Sequence, residues 1–154
     1  MTAYEKLIVE AENIGAVVVE MDLEGESGYC LNEVLFINKN LCEKQKYWIL
    51  SEEIGHFKTT SGDILNLDSI INKKLENAAR AESIERVCSL KQIVRAIKNG
   101  ANDRYEVAEY LTLTDKFFDE AIEYHRRKHS MYKECENIIL YFEPGFGVLR
   151  NDIF

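Results

Sequence analysis

Leu7, Ile8, Ala11 and Ile14 recur at helical spacing, with Glu5, Glu10 and Glu12 off their face, and predict a first helix ended by Gly15. The run Ala16-Val17-Val18-Val19-Glu20-Met21 is short and β-branched, so it predicts a strand. A polar loop from Asp22 to Gly28 follows. Tyr29-Cys30-Leu31 and Val34-Leu35-Phe36-Ile37, separated only by Asn32-Glu33, predict a hairpin. A long helix is expected from about Leu41 to Thr59, capped by Asn38 or Asn40 and stopped by Ser61-Gly62-Asp63. Further helices are expected from Asp68 to Val87, from Lys91 to Asn99 with Gly100 closing it, and as a pair over Tyr105–Leu111 and Asp115–His129. Asn137-Ile138-Ile139-Leu140-Tyr141-Phe142 reads as a strand stopped by Glu143-Pro144-Gly145, with Gly147-Val148-Leu149 as its hairpin partner. Strands first, then helices, then a β-tail predict an α+β fold.

Composition narrows the function classes. The chain has 154 residues, long enough to bury a core without disulfide or metal. Its net charge of −8 opposes nonspecific binding to DNA phosphates or to an anionic membrane. No apolar run approaches the ~18 residues a membrane span requires, and the N-terminal residues lack the basic region of an export signal. Cys30, Cys42, Cys88 and Cys135 form no CxxC pair, so reduced thiols in a cytoplasmic protein are expected, buried as small hydrophobes.

The chemistry concentrates in Ser51-Glu52-Glu53-Ile54-Gly55-His56-Phe57, one substitution from the H-E-x-x-H zinc motif, with Glu52 in place of the first histidine. Residues i and i+4 share a helix face, so Glu52 and His56 can hold one ion while Glu53 takes a proton from water. A catalytic zinc site needs a third protein ligand. Glu76, in Glu76-Asn77-Ala78-Ala79, fills that place because Ala79 lets its helix pack closely; Glu82 and Glu85 are its rivals. Two anionic ligands make the site oxygen-rich, so manganese or iron stands behind zinc as the expected metal. The competing reading of a Glu-Glu pair on an amphipathic helix is a solvated face.

These residues resemble the ImmA/IrrE metallopeptidases. The likeness rests on the first helix, the hairpin, the Glu-Glu-x-Gly-His helix, Thr59-Thr60-Ser61-Gly62-Asp63 and Glu76-x-x-Ala79, and extends through Tyr105-Glu106-Val107-Ala108-Glu109-Tyr110-Leu111. It departs from the family's more familiar pattern at Glu52, where a histidine usually stands. The resemblance implies a zincin-like domain with a small sheet and a C-terminal helical lobe. It implies Glu52, His56 and Glu76 as metal ligands and Glu53 as general base. It further implies an anti-repressor of the phage or mobile-element type, an endopeptidase that cuts a helix-turn-helix repressor. The alternative is an inactive zincin-like protein that binds the repressor without cleavage.

The expected organisation is a metallopeptidase core over residues 1–100 and a helix-turn-helix-like lobe with a β-hairpin over 101–154, packed as one unit. Asp115, Asp119, Glu120 and Glu123 on the lobe's second helix would repel phosphates, so the lobe is expected to complete the core or dock a protein substrate rather than bind DNA. His125 and His129 form a second i, i+4 pair, but in a basic run at a helix C-terminus the dipole accounts for them.

Overall fold

Thr2 opens the chain's first helix, its Oγ1 accepting from the Glu5 amide at 3.1 Å, and Tyr4, Leu7 and Ala11 lie buried along one face of that helix, α1 (Ala3–Asn13). The structure, a computed structural model, describes residues 1–59 and 69–151. They form six helices and six strands in an α+β arrangement that divides into two compact units, Met1–Arg86 and Val87–Phe154. Among the described residues no helix is long and apolar enough to cross a membrane.

In the first unit Gly15 turns the chain with φ +94, a conformation that glycine adopts without steric cost. The sheet comprises β1 (Val17–Met21), β2 (Gly28–Leu31) and β3 (Val34–Asn38), in the order β1-β3-β2. The expected hairpin is present, with Asn32 at φ 53 in its turn and Cys30 opposite Leu35. The parallel pairing of β1 with β3 was not predicted. It requires the loop after β1 to carry the chain past β3 to the far edge. Asn38 holds that loop: its amide donates to the Ser27 carbonyl at 2.9 Å and its Nδ2 to the Glu26 carbonyl at 2.8 Å.

Neither predicted asparagine therefore caps α2 (Glu43–Thr59). Asn38 Oδ1 accepts from the Asn40 amide, and the Cys42 carbonyl accepts the first helical bond, from Lys46. Gln45 Oε1 reaches back to the Cys42 amide at 3.1 Å. Leu35 and Ile37 of β3 meet Leu50 and Ile54 of α2 and Leu7 and Ala11 of α1 in the core. The predicted stop at Ser61-Gly62-Asp63 lies outside the described residues. Helix α3 (Ser69–Val87) closes the unit, with Ala79, Ser83 and Ile84 buried.

The second unit contains α4 (Leu90–Lys98), α5 (Arg104–Tyr110) and α6 (Asp115–His129), then the antiparallel sheet β4 (Tyr132–Cys135), β5 (Ile138–Tyr141) and β6 (Gly147–Arg150). Ala108, Leu113 and Phe118 are buried in the α5–α6 helix pair and the turn between its helices. Ser89 and Gln92 form a capping box on α4. Ser89→Ala is expected to lower stability by about 1 kcal/mol, read as a lower thermal midpoint.

Two expectations about side chains are corrected here. His125 is fully buried, its Nε2 2.8 Å from the Cys88 carbonyl and its ring stacked with Phe142, so packing rather than the helix dipole fixes it. All four cysteines are free thiols, but only Cys88 is buried; Cys42 is exposed and Cys30 and Cys135 are half-buried.

Candidate active site

Helices α2 and α3 meet backbone to backbone at Gly55 and Ala79. A Cβ on Gly55 would stand 2.4 Å from the Ala79 carbonyl oxygen, well inside contact distance. Glycine at this position is thus a packing requirement, and Ala79 is its small counterpart, as the E-x-x-A spacing predicts. Ser51 Oγ donates to the Ser83 carbonyl at 3.2 Å, and the Arg86 guanidinium donates to the Ser51 carbonyl at 3.3 Å, so the same two helices are also tied by polar bonds, the first of them buried.

The crossing sets two antiparallel side-chain rungs. His56 Nε2 lies 3.5 Å from Glu76 Oε2, and Glu52 Oε1 lies 3.5 Å from the Arg80 guanidinium. Each rung joins residues one helical turn from those of the other, on the facing surfaces of the two helices. Glu82 lies elsewhere, bound to Lys58 at 3.2 Å and to Arg86, while Glu85 is exposed. Of the three carboxylates weighed on α3, Glu76 is the one that the crossing brings to His56.

Glu53 points into a different environment. It is only 7% exposed. Burial first, then the neighbouring charges of Glu52 and Glu76, push its carboxyl up to about 8. A carboxylate held near neutral pH can both take and return a proton, which is what general-base work demands. Strand β2 covers it: a Cβ on Gly28 would stand 3.5 Å from Glu53 Cγ and 2.6 Å from Ile49 Cγ2, so glycine there lets the outer strand approach the helix. Cys30, two residues along β2, is pushed up to about 11 by burial and by the Glu53 charge.

Among the described residues no group of three or more His, Cys, Asp or Glu side chains stands close enough to hold a metal ion. The donor set still has the right chemistry, imidazole nitrogen with carboxylate oxygen. The His56–Glu76 separation of 3.5 Å is near the ~3.3 Å between two ligands of a tetrahedral ion with bonds of about 2.0–2.1 Å. Glu52, the third expected donor, is drawn to Arg80 instead. The residues fit a metal in kind, and two of the three fit in position.

Residues 11–151 match the model of a peptidase family described as the IrrE N-terminal-like domain. The chain belongs to this family. No curated protein matches it. Family membership agrees with the resemblance carried by the Glu-Glu-x-Gly-His helix and Glu76-x-x-Ala79, and makes the chain a metallopeptidase-like protein. In this IrrE N-terminal-like domain, sequence reasoning missed Arg80 and the approach of Gly28. Arg80 was legible as the residue one turn after Glu76. Nothing local marks Gly28, because its close side-chain neighbours, Ile49 and Glu53, come from a helix distant in sequence.

Proposed function

We propose that this chain is a zinc-dependent endopeptidase that hydrolyses a peptide bond in a helix-turn-helix repressor, acting in the cytoplasm as an anti-repressor. The observation that carries the reading is a buried Glu53, its carboxyl raised by burial and by neighbouring carboxylates, beside the His56–Glu76 pair on crossing helices. Glu52, His56 and Glu76 would hold the metal. A bound zinc ion supplies Lewis acidity toward the scissile carbonyl and makes water acidic enough to ionise near neutral pH. Glu53 accepts the proton of the attacking water and later delivers it to the leaving amine nitrogen. Strand β2, outermost in its sheet and pressed against Glu53 through Gly28, offers an edge on which an extended substrate segment can pair. The repressor as substrate is supported by the family resemblance and by the acidic charge, which disfavours the DNA itself as target.

The second reading is a protein that binds the repressor without cutting it. The Glu52–Arg80 pair favours it, since a ligand tied to a guanidinium is a ligand withheld. Zinc content of protein purified without chelators separates the two. Near one zinc per chain, lost in Glu76→Ala, supports the peptidase. Protein that stays metal-free after zinc is added back leaves the binding reading in its place.

A further inference from the structure

The site differs from an H-E-x-x-H arrangement by one charge. Glu52 replaces a neutral imidazole with an anion, and it does so beside Glu53 and Glu76. The crossing of α2 and α3 brings a cation to that anion: Arg80, on the rung next to His56–Glu76, lies 3.5 Å from Glu52 Oε1. Arg80 is 53% exposed and Glu52 18%, so the pair stands at the mouth of the site with the carboxylate inward. A guanidinium here offsets the mutual repulsion of the carboxylates, and it also repels a divalent ion approaching the same oxygens.

We propose that Arg80 is a positioning residue that stands in for the metal: it neutralises Glu52 when no metal is bound and competes with the metal for that carboxylate. The inference rests on the peptidase reading above, because it takes Glu52 as a ligand. Its consequence is a site tuned to hold metal less tightly than its carboxylates alone would, in exchange for a stable metal-free fold. The role depends on charge. Lysine therefore substitutes for Arg80, and glutamine, of similar polarity but neutral, does not.

Zinc affinity is measured by competition with a chromophoric chelator at fixed pH and low ionic strength, for the parent chain, Arg80→Lys and Arg80→Gln. Arg80→Gln is expected to bind zinc roughly threefold to tenfold more tightly, the scale of one half-exposed ion pair. Arg80→Lys should match the parent, and the gain should shrink toward 1 M salt, where the screening length is about 3 Å. In metal-stripped protein Arg80→Gln should lower the thermal midpoint by about 1–3 °C. That fall should vanish in a Glu52→Gln background, which removes the partner through which Arg80 acts. Unchanged or weaker zinc binding in Arg80→Gln overturns the proposal while leaving the peptidase reading intact. A parent chain that binds no zinc overturns both. A thermal effect that persists without the Glu52 carboxylate shows that Arg80 acts elsewhere, and overturns this proposal alone.

Discussion

In metal-stripped protein, Glu53→Gln is expected to remove a loss of stability that the parent chain shows as pH rises from about 4.5 to about 8. The sign follows from the raised carboxyl. Between these pH values the folded chain keeps a proton on Glu53 that the unfolded chain releases, so raising pH favours unfolding. The contribution is fully present below the ordinary carboxylate value and gone above about 8. Its size is on the order of 3–5 kcal/mol, set by the burial of Glu53 and the adjacent Glu52 and Glu76 charges. Glutamine is close in shape and cannot ionise, so the variant should be the more stable protein at pH 8. The same substitution should lower peptide hydrolysis by about 10²- to 10⁴-fold, the usual contribution of a positioned general base. Unfolding curves at several pH values test the first claim, and cleavage of a repressor substrate tests the second. A parent chain with flat stability across this range would mean that Glu53 is not held neutral.

Gly55→Ala is expected to damage the fold and the site together. The added methyl would meet the Ala79 carbonyl at 2.4 Å, and a carbonyl within a helix cannot swing aside as a flexible side chain can. The helices must separate, at an overpacking cost of about 1–3 kcal/mol. That corresponds to a fall of roughly 2–4 °C in thermal midpoint for each kcal/mol in a chain of this length. Separation also pulls His56 from Glu76, and zinc affinity is expected to fall by about tenfold or more, as when a supporting contact of a metal ligand is removed. Thermal unfolding and chelator competition on one preparation read both effects. Unchanged values for both would show that the two helices do not depend on this contact.

How far these features were legible in the sequence depends on the range of the interactions that fix them. Helix α1, the β2–β3 hairpin, α4 and α6 are set by periodicity and turn residues within a few positions, and they fall close to their predicted ranges. The Glu-Glu-x-Gly-His spacing and Ala79 were likewise readable, because one helix turn decides which side chains share a face. Strand β4 was not. Tyr132-Lys133-Glu134 are all exposed and show no buried alternation, so the strand exists through its ladder with β5 rather than through a hydrophobic face. The pairing of β1 with β3 is another long-range outcome, as is Asn38 turning to hold the loop instead of capping α2. His125 escaped for a related reason. The residues after it, Arg126, Arg127 and Lys128, describe a solvated helix end, while its burial involves the Cys88 carbonyl and the Phe142 ring, both remote in sequence.

The close contact of Gly55 with Ala79 also has a mechanical meaning. Two rods pressed together most closely at one point tilt most readily about that point, and displacement grows with distance from it. At a rise of about 1.5 Å per residue, His56 sits one step from the fulcrum and Glu76 about 4.5 Å along α3. A rocking of roughly 10° would shift the backbone at Glu76 by less than about 1 Å, yet move Ser69, ten residues from the contact, by about 2.6 Å. His56 and Glu76, the proposed metal ligands, therefore occupy the stretch of each lever with the least travel. Any tilt of α3 about this contact would be felt least at the His56–Glu76 spacing.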